Sequence, residues 1–202
     1  MSRLFQCLGV AGATLALAAC ASAPTQFFTL VPPPATGVAA PAAYAIAVVP
    51  VTIPAQVDRP QMVVREGDTQ VTPLEGERWI APLGDEIRNA LSADLTRQLG
   101  AQDVHAMAYP QGVPVYRISV AVTRFESVPG RYTALTATWD VRALDGKKTV
   151  VSCTTRERQN VAAGYAALAA GHQRGLQSLA SAIGGVVGQL ASKGNAACPR
   201  AD

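Results

Sequence analysis

With 202 residues, of which 49 % are apolar and 15 % charged, the chain can bury a sizeable core, and this balance excludes an intrinsically disordered polymer. Its formal net charge is only +3. The bases are interleaved with acids, as in Arg65-Glu66 and Arg156-Glu157-Arg158, which excludes the dense basic surface of a nucleic-acid binder.

The N-terminus carries the sharpest signal. A positive start at residues 1–3 precedes an almost wholly apolar or small run over residues 4–17, the order of a secretory signal peptide. The run is shorter than the roughly 20 apolar residues that a membrane-spanning helix needs. It closes on Leu17-Ala18-Ala19-Cys20 and so resembles a bacterial lipobox, against the plainer alternative of an ordinary cleaved signal. That resemblance implies a signal peptide over residues 1–19 and a thioether-linked diacylglyceryl group, with a further acyl chain such as palmitate, on Cys20. Several acyl chains together anchor a protein where one would hold it only marginally. Ser22, where an Asp would retain an enteric-type lipoprotein at the inner membrane, points to the periplasmic face of the outer membrane.

The cysteines suit that compartment. Cys7 leaves with the signal and Cys20 carries lipid, so Cys153 and Cys198 remain to pair in an oxidising periplasm. The loop they would close, about 45 residues, corresponds to roughly 4 kcal/mol in the chain-entropy treatment. Free thiols or a metal site have less support, because neither cysteine has a CxxC partner and His105 and His172 are isolated.

No charged residue occurs between Arg3 and Asp58. Residues 20–43 read as the lipidated cysteine and a tether that holds a short β-prone run, Phe27-Phe28-Thr29-Leu30-Val31, and a connector stiffened by Pro32-Pro33-Pro34. Residues 44–202 read as a single domain. Its first strand spans residues 44–51, followed by an irregular turn between Pro54 and Pro60. A short hairpin of residues 62–65 and 70–73 is expected around Glu66-Gly67-Asp68.

Leu83, Ile87, Leu91, Leu95 and Leu99 recur every four residues and predict a helix between Pro82 and Gly100. Three strands follow, over residues 115–125, 132–144 and 148–159. In the first, Tyr116, Ile118, Val120, Val122 and Arg124 oppose Val115, Arg117, Ser119, Ala121 and Thr123. Asp145-Gly146 is a strong hairpin turn. A second helix runs from about residue 163 into the 180s, with Gly184-Gly185 and Gly188 softening its end. The expected fold is α+β, a mostly antiparallel sheet with two main helices packed on one face.

Catalytic signatures are missing from the sequence: it has no Gly-rich phosphate loop, GxSxG elbow or HExxH. The reading is therefore non-enzymatic, with no catalytic residues, metal ligands or cofactor apart from the covalent lipid on Cys20. His172 is expected to pack on its helix or lie at the surface, and His105 has no evident partner. Asp85-Glu86 and Asp94 are assigned to a solvated helix face.

Two clusters stand apart. Asp58-Arg59-Pro60-Gln61-Met62-Val63 lies between a strand and the hairpin, and Arg78-Trp79-Ile80-Ala81-Pro82-Leu83 precedes the first helix. Trp79 has two readings, a staple between helix and sheet or an exposed docking aromatic. Together with the lipobox, Phe27-Phe28-Thr29-Leu30 and Pro50-Val51-Thr52-Ile53-Pro54, these clusters resemble the PqiC/YmbA family of ABC-type transport auxiliary lipoproteins. Val57 replaces the family's Leu before Asp58, and Ile80-Ala81 replaces its usual Ala-Glu.

The resemblance implies a lipoprotein that docks an MCE-domain protein, the periplasm-spanning conduit of intermembrane phospholipid transport, beside an inner-membrane component. Asp58, Arg59, Gln61, Arg78 and Trp79 are the candidate partner-binding residues, since Arg and Trp dominate interface hot spots. A lipid-binding shuttle, with phospholipid between helices and sheet, and a purely structural envelope lipoprotein are the alternatives. A second copy of the chain is a further candidate partner, and nucleic acid is not.

Overall fold

Strict alternation of burial in the last strand shows how the sequence sets the architecture. In Val150–Asn160, Val151, Cys153, Thr155, Glu157 and Gln159 are sheltered, while every residue between them is exposed. Period-two polarity of this kind gives a sheet one packed and one wet face.

The computed structural model describes residues 24–34, 37, 39–144 and 149–199. The signal, Cys20 and the Asp145-Gly146 turn lie outside the described residues. In chain order the strands are β1 (Gln26–Phe28), β2 (Ala45–Val48), β3 (Gln61–Arg65) and β4 (Val71–Trp79). Helix α1 (Leu83–Leu99) follows, then β5 (Val115–Val128), β6 (Tyr132–Ala143), β7 (Val150–Asn160) and helix α2 (Tyr165–Lys193).

The fold is α+β, as expected, and its strands divide between two sheets. One has the order β1-β4-β3 and the other β2-β5-β6-β7. The edge strands β1 and β2 each pair parallel with their neighbour, and the other pairings are antiparallel. The length of β5 explains the division: β2 pairs with its first half, over Val115, Tyr116, Arg117 and Ile118. Beside the second half lies β3, whose Arg65 bonds Glu126 at 2.7 Å.

The register of β5 shifts between Val122 and Arg124. This bulge reverses which parity faces the core. Tyr116, Ile118, Val120 and Val122 point inward before it, and Phe125 does so after it. Arg124, grouped by simple alternation with the inward set, is instead exposed. Arg124, a charge where alternation would place an inward residue, is the mark of the bulge in the sequence.

Both helices are apolar stripes laid on the packed face. Leu83, Ile87, Leu91 and Leu95 of α1 and Leu168, Leu176, Leu179 and Ile183 of α2 are buried. Gly100 closes α1 in the left-handed region, at φ 62°. A Cβ there would sit 2.1 Å from the Ala40 carbonyl oxygen, so the position requires glycine twice over.

Helix α2 does not soften at Gly184-Gly185 and continues to Lys193. A side chain at Gly184 would strike Gln98 of α1, with its Cβ 2.7 Å from Nε2. The contact is with the amide end of an exposed side chain, which can swing aside, and burial of Ile183, Val186 and Val187 on either side of the glycines carries the helix through them. After α2 the chain returns to β7, where Cys198 is joined to Cys153 across a sequence separation of 45.

The stretch assigned to the tether is partly integrated into this body. Leu30 is fully buried. Ala39 and Ala42 donate backbone hydrogen bonds to the carbonyls of Arg97 and Gly100 at the end of α1.

Candidate functional site

The turn that precedes β3 is wound by local backbone bonds. Val57 donates to the Pro54 carbonyl, Asp58 to Ala55 and Arg59 to Val57. Val57 is buried, which retains the apolar character that the family's Leu would have there, while Asp58, Arg59 and Pro60 project outward. Entering β3, Gln61 pairs with Arg78 of β4, and the Trp79 amide donates to the Pro60 carbonyl at 2.9 Å. On the other side of β4, Phe27 of β1 is the register partner of Arg78.

Three segments far apart in sequence thus meet in one small sheet, and a row of Gln61, Arg78 and Phe27 crosses its outer face. Gln61 Nε2 lies 3.4 Å from Glu75 Oε2, and the Arg78 guanidinium is 3.8 Å from the same carboxylate. These exposed pairs contribute little to stability, so the side chains remain open to another partner.

Trp79 is separated from this group by its direction. It is the neighbour of Arg78 on an alternating strand, and it is buried at 3 % exposure. Its ring meets Phe125 edge-on at 6.1 Å and His172 at 6.4 Å. Of its two readings the packed one applies. Asp58, Arg59, Gln61 and Arg78 are brought together at the surface, whereas Trp79 supports them from behind.

A buried carboxylate joins the same sheet to α1. Glu86 accepts from the Thr29 hydroxyl at 2.8 Å and from the Leu30 amide at 2.7 Å. Glu86 and Asp94, assigned from sequence to the solvated face, are both buried. Burial raises the Asp94 pKa, and Arg97 only partly offsets it. The four-residue spacing reveals the apolar stripe of α1, but its acidic neighbours give no sign that β1 and the segment after it cover them.

Asp103 is a second concealed hub. It accepts from Arg88 at 2.7 Å, from Ser92 at 2.6 Å and from the amides of Val48 and His105. Glu126 is a third: burial alone would raise its pKa, but bonds from Arg65, Arg124 and Tyr132 together hold it below the usual value.

Ser127 and His172 lie 2.8 Å apart, the spacing of a hydrolytic pair. Both are buried, and the imidazole stacks on Phe125 with ring centroids 3.8 Å apart. Burial depresses the His172 pKa to about 3, so it is a weak base in a packed core. Among the described residues no group of three His, Cys, Asp or Glu side chains converges as a metal site, and no helix is long and apolar enough to cross a membrane.

The space between helices and sheet is occupied by Ile87, Leu91, Ile118, Trp139, Leu176 and Leu179, all nearly or wholly inaccessible. An open depression of about 500 Å³ lies elsewhere, between the Pro32-Pro33-Pro34 connector and α1.

Comparison with known proteins agrees with this arrangement. No curated protein matches the sequence. A crystal structure of an uncharacterised protein superposes with a TM-score of 0.64 at 15 % identity, covering 80 % of this chain and 97 % of that one. A protein of Xanthomonas campestris carrying the DUF330 family model superposes with a TM-score of 0.54 at 19 % identity, covering 84 % and 96 %. These two likenesses show the shared fold. The family model of the ABC-type transport auxiliary lipoprotein component matches residues 28–184, which embrace the Asp58-Arg59-Pro60-Gln61 turn, Arg78, α1 and the first two-thirds of α2. The chain belongs to the family of ABC-type transport auxiliary lipoprotein components.

Proposed function

We propose that the protein is acylated on Cys20, resides at the periplasmic face of the outer membrane, and docks the MCE-domain conduit of an intermembrane phospholipid transport system. Its role is mechanical: it holds the distal end of the conduit against the membrane that receives or supplies lipid. The observation that carries this reading is the surface row in which the Asp58-Arg59-Pro60-Gln61 turn joins Arg78 and the strand emerging from the anchor. Arg59 is exposed there and Arg78 is half-exposed, the state expected of side chains awaiting a partner.

The closely filled helix–sheet interface favours docking over carriage of a phospholipid inside the fold. The test is capture of the conduit protein by the acylated chain and by its Arg59→Ala and Arg78→Ala variants. Loss of capture by variants of unchanged stability supports the proposal. Undiminished capture by both would remove this surface from the docking assignment.

A further inference from the structure

The four-stranded sheet ends in β7, the last strand in the order β2-β5-β6-β7, and the direction of its backbone groups follows from its pairing. Val161 donates to the Arg131 carbonyl, and Ala143 donates to the Thr149 carbonyl. Each of these bonded pairs lies one step beyond an end of the ladder, where Tyr132 faces Asn160 and Arg142 faces Val150. Bonded and non-bonded pairs alternate in an antiparallel ladder, so the odd-numbered residues of β7 bond β6. The amides and carbonyls of its even-numbered residues therefore point outward, to the free edge of the sheet.

Both ends of that edge are covered, at even positions. Cys198 Sγ lies 3.1 Å from the Ser152 carbonyl oxygen, and Arg174 donates to the Asn160 carbonyl at 3.2 Å. Between them, Thr154, Arg156 and Arg158 make no outward backbone bond among the described residues. Their side chains stand on the wet face, and all three are exposed. The Arg158 guanidinium is held over the Tyr132 ring, 3.4 Å from its centroid. Arg156 has no ion pair or side-chain hydrogen bond among the described residues. Glu157, which could neutralise them, is turned to the packed face beside Gly175 of α2.

Arginines on an open edge can act simply as guards against strand pairing. A guard needs only charge, whereas this edge is a bounded slot with its cations on one face and its acid on the other. A second copy of the chain fits it poorly. Antiparallel pairing centred on the open stretch would set Arg156 against its own copy, and like charges directly opposed destabilise a sheet.

We infer that this edge takes an added strand from a partner protein, an extended segment whose acidic side chains recur at every second position. Main-chain bonds to Thr154, Arg156 and Arg158 supply affinity. Carboxylates opposite Arg156 and Arg158 fix the face and the register of the added strand. Its intervening positions are uncharged, because they share the side of the sheet that carries Glu157. The slot lies on the other sheet from Arg59 and Arg78, so it is a second docking surface and does not depend on the one proposed above.

The test is amide hydrogen exchange on the full chain, isotope-labelled, with a blocked synthetic peptide of alternating Thr and Glu as the probe. A peptide with Gln in place of every Glu is the control. Without peptide, the amides of Thr154, Arg156 and Arg158 should exchange freely. With the Glu peptide at about ten times its Kd they should exchange about tenfold more slowly, while the Gln peptide at that concentration leaves them unchanged. Arg156→Glu combined with Arg158→Glu should transfer the protection to a peptide of alternating Thr and Lys, with unaltered exchange in α1 showing that the variant is folded. No slowing by the Glu peptide at any concentration would reduce the arginines to guards and overturn the proposal. Equal slowing by the Glu and Gln peptides would overturn it as well, since carboxylates would not be what is recognised. Slowing that needs no peptide and grows with protein concentration would assign the edge to a second copy instead.

Discussion

The Leu30 amide donates to the Glu86 carboxylate at 2.7 Å in a buried setting, and the Thr29 hydroxyl binds the same oxygen at 2.8 Å. The segment that follows β1 is thereby fastened to the first turn of α1. Under the proposed acylation of Cys20, a pull on the N-terminus would be transmitted to a helix that is itself locked in the core.

This relationship predicts the effect of removing the carboxylate. Glu86→Ala should lower unfolding free energy by about 1.5–3 kcal/mol, the range for hydrogen bonds to a charged acceptor. Hydrogen exchange at the Leu30 amide should accelerate by more than the global loss explains. A change below about 0.5 kcal/mol in denaturant titrations would show that the bond is dispensable.

Trp79 and Arg59 should separate stability from recognition. Trp79→Ala removes a buried ring that meets Phe125 and His172 and should cost about 3–5 kcal/mol. Arg59→Ala alters an exposed turn and should change stability by no more than about 0.5 kcal/mol while weakening partner capture. Equal thermal unfolding of the two variants would contradict the burial pattern.

The buried imidazole makes a signed prediction about pH. In the unfolded chain His172 takes a proton below about 6.5, but in the folded protein only near about 3. Its contribution is fully present above the unfolded pKa and declines as pH falls through the window between those values. The slope is about 1.4 kcal/mol per pH unit. Between pH 7 and 5 the natural chain should lose about 2 kcal/mol more than His172→Gln, which keeps a polar partner for Ser127 without titrating. Parallel denaturation curves for the two proteins across that interval would refute the assignment.

The Cys153–Cys198 link ties the end of the chain to β7. Replacing both cysteines with serine should lower stability by roughly 4 kcal/mol if loop entropy dominates, with little effect on docking. Mass spectrometry of the unreduced protein should show the two-dalton deficit of one disulfide.

Legibility in the sequence followed the range of the interactions. The Leu83-Ile87-Leu91-Leu95 stripe and the Glu66-Gly67-Asp68 turn were readable because local periodicity and turn chemistry cause them. The extension of β4 to Trp79 was not, since Pro73 and Gly76 interrupt its pattern and only pairing with β1 and β3 sustains it. Glu86 and Asp103 were hidden for a similar reason: a carboxylate reads as solvated until distant amides and arginines close over it. The surface group was half legible. Motif resemblance selected Asp58, Arg59, Gln61 and Arg78, but their convergence depends on sheet register, and the separation of Trp79 from Arg78 depends on strand alternation.

The central claim, a domain held to a membrane through Cys20, is tested most directly by the intact mass of the mature protein from its native envelope. The account predicts a chain that begins at Cys20 and carries the added mass of a diacylglyceryl group and an N-acyl chain. A mature chain that begins elsewhere, or begins at Cys20 with a free thiol, would contradict it.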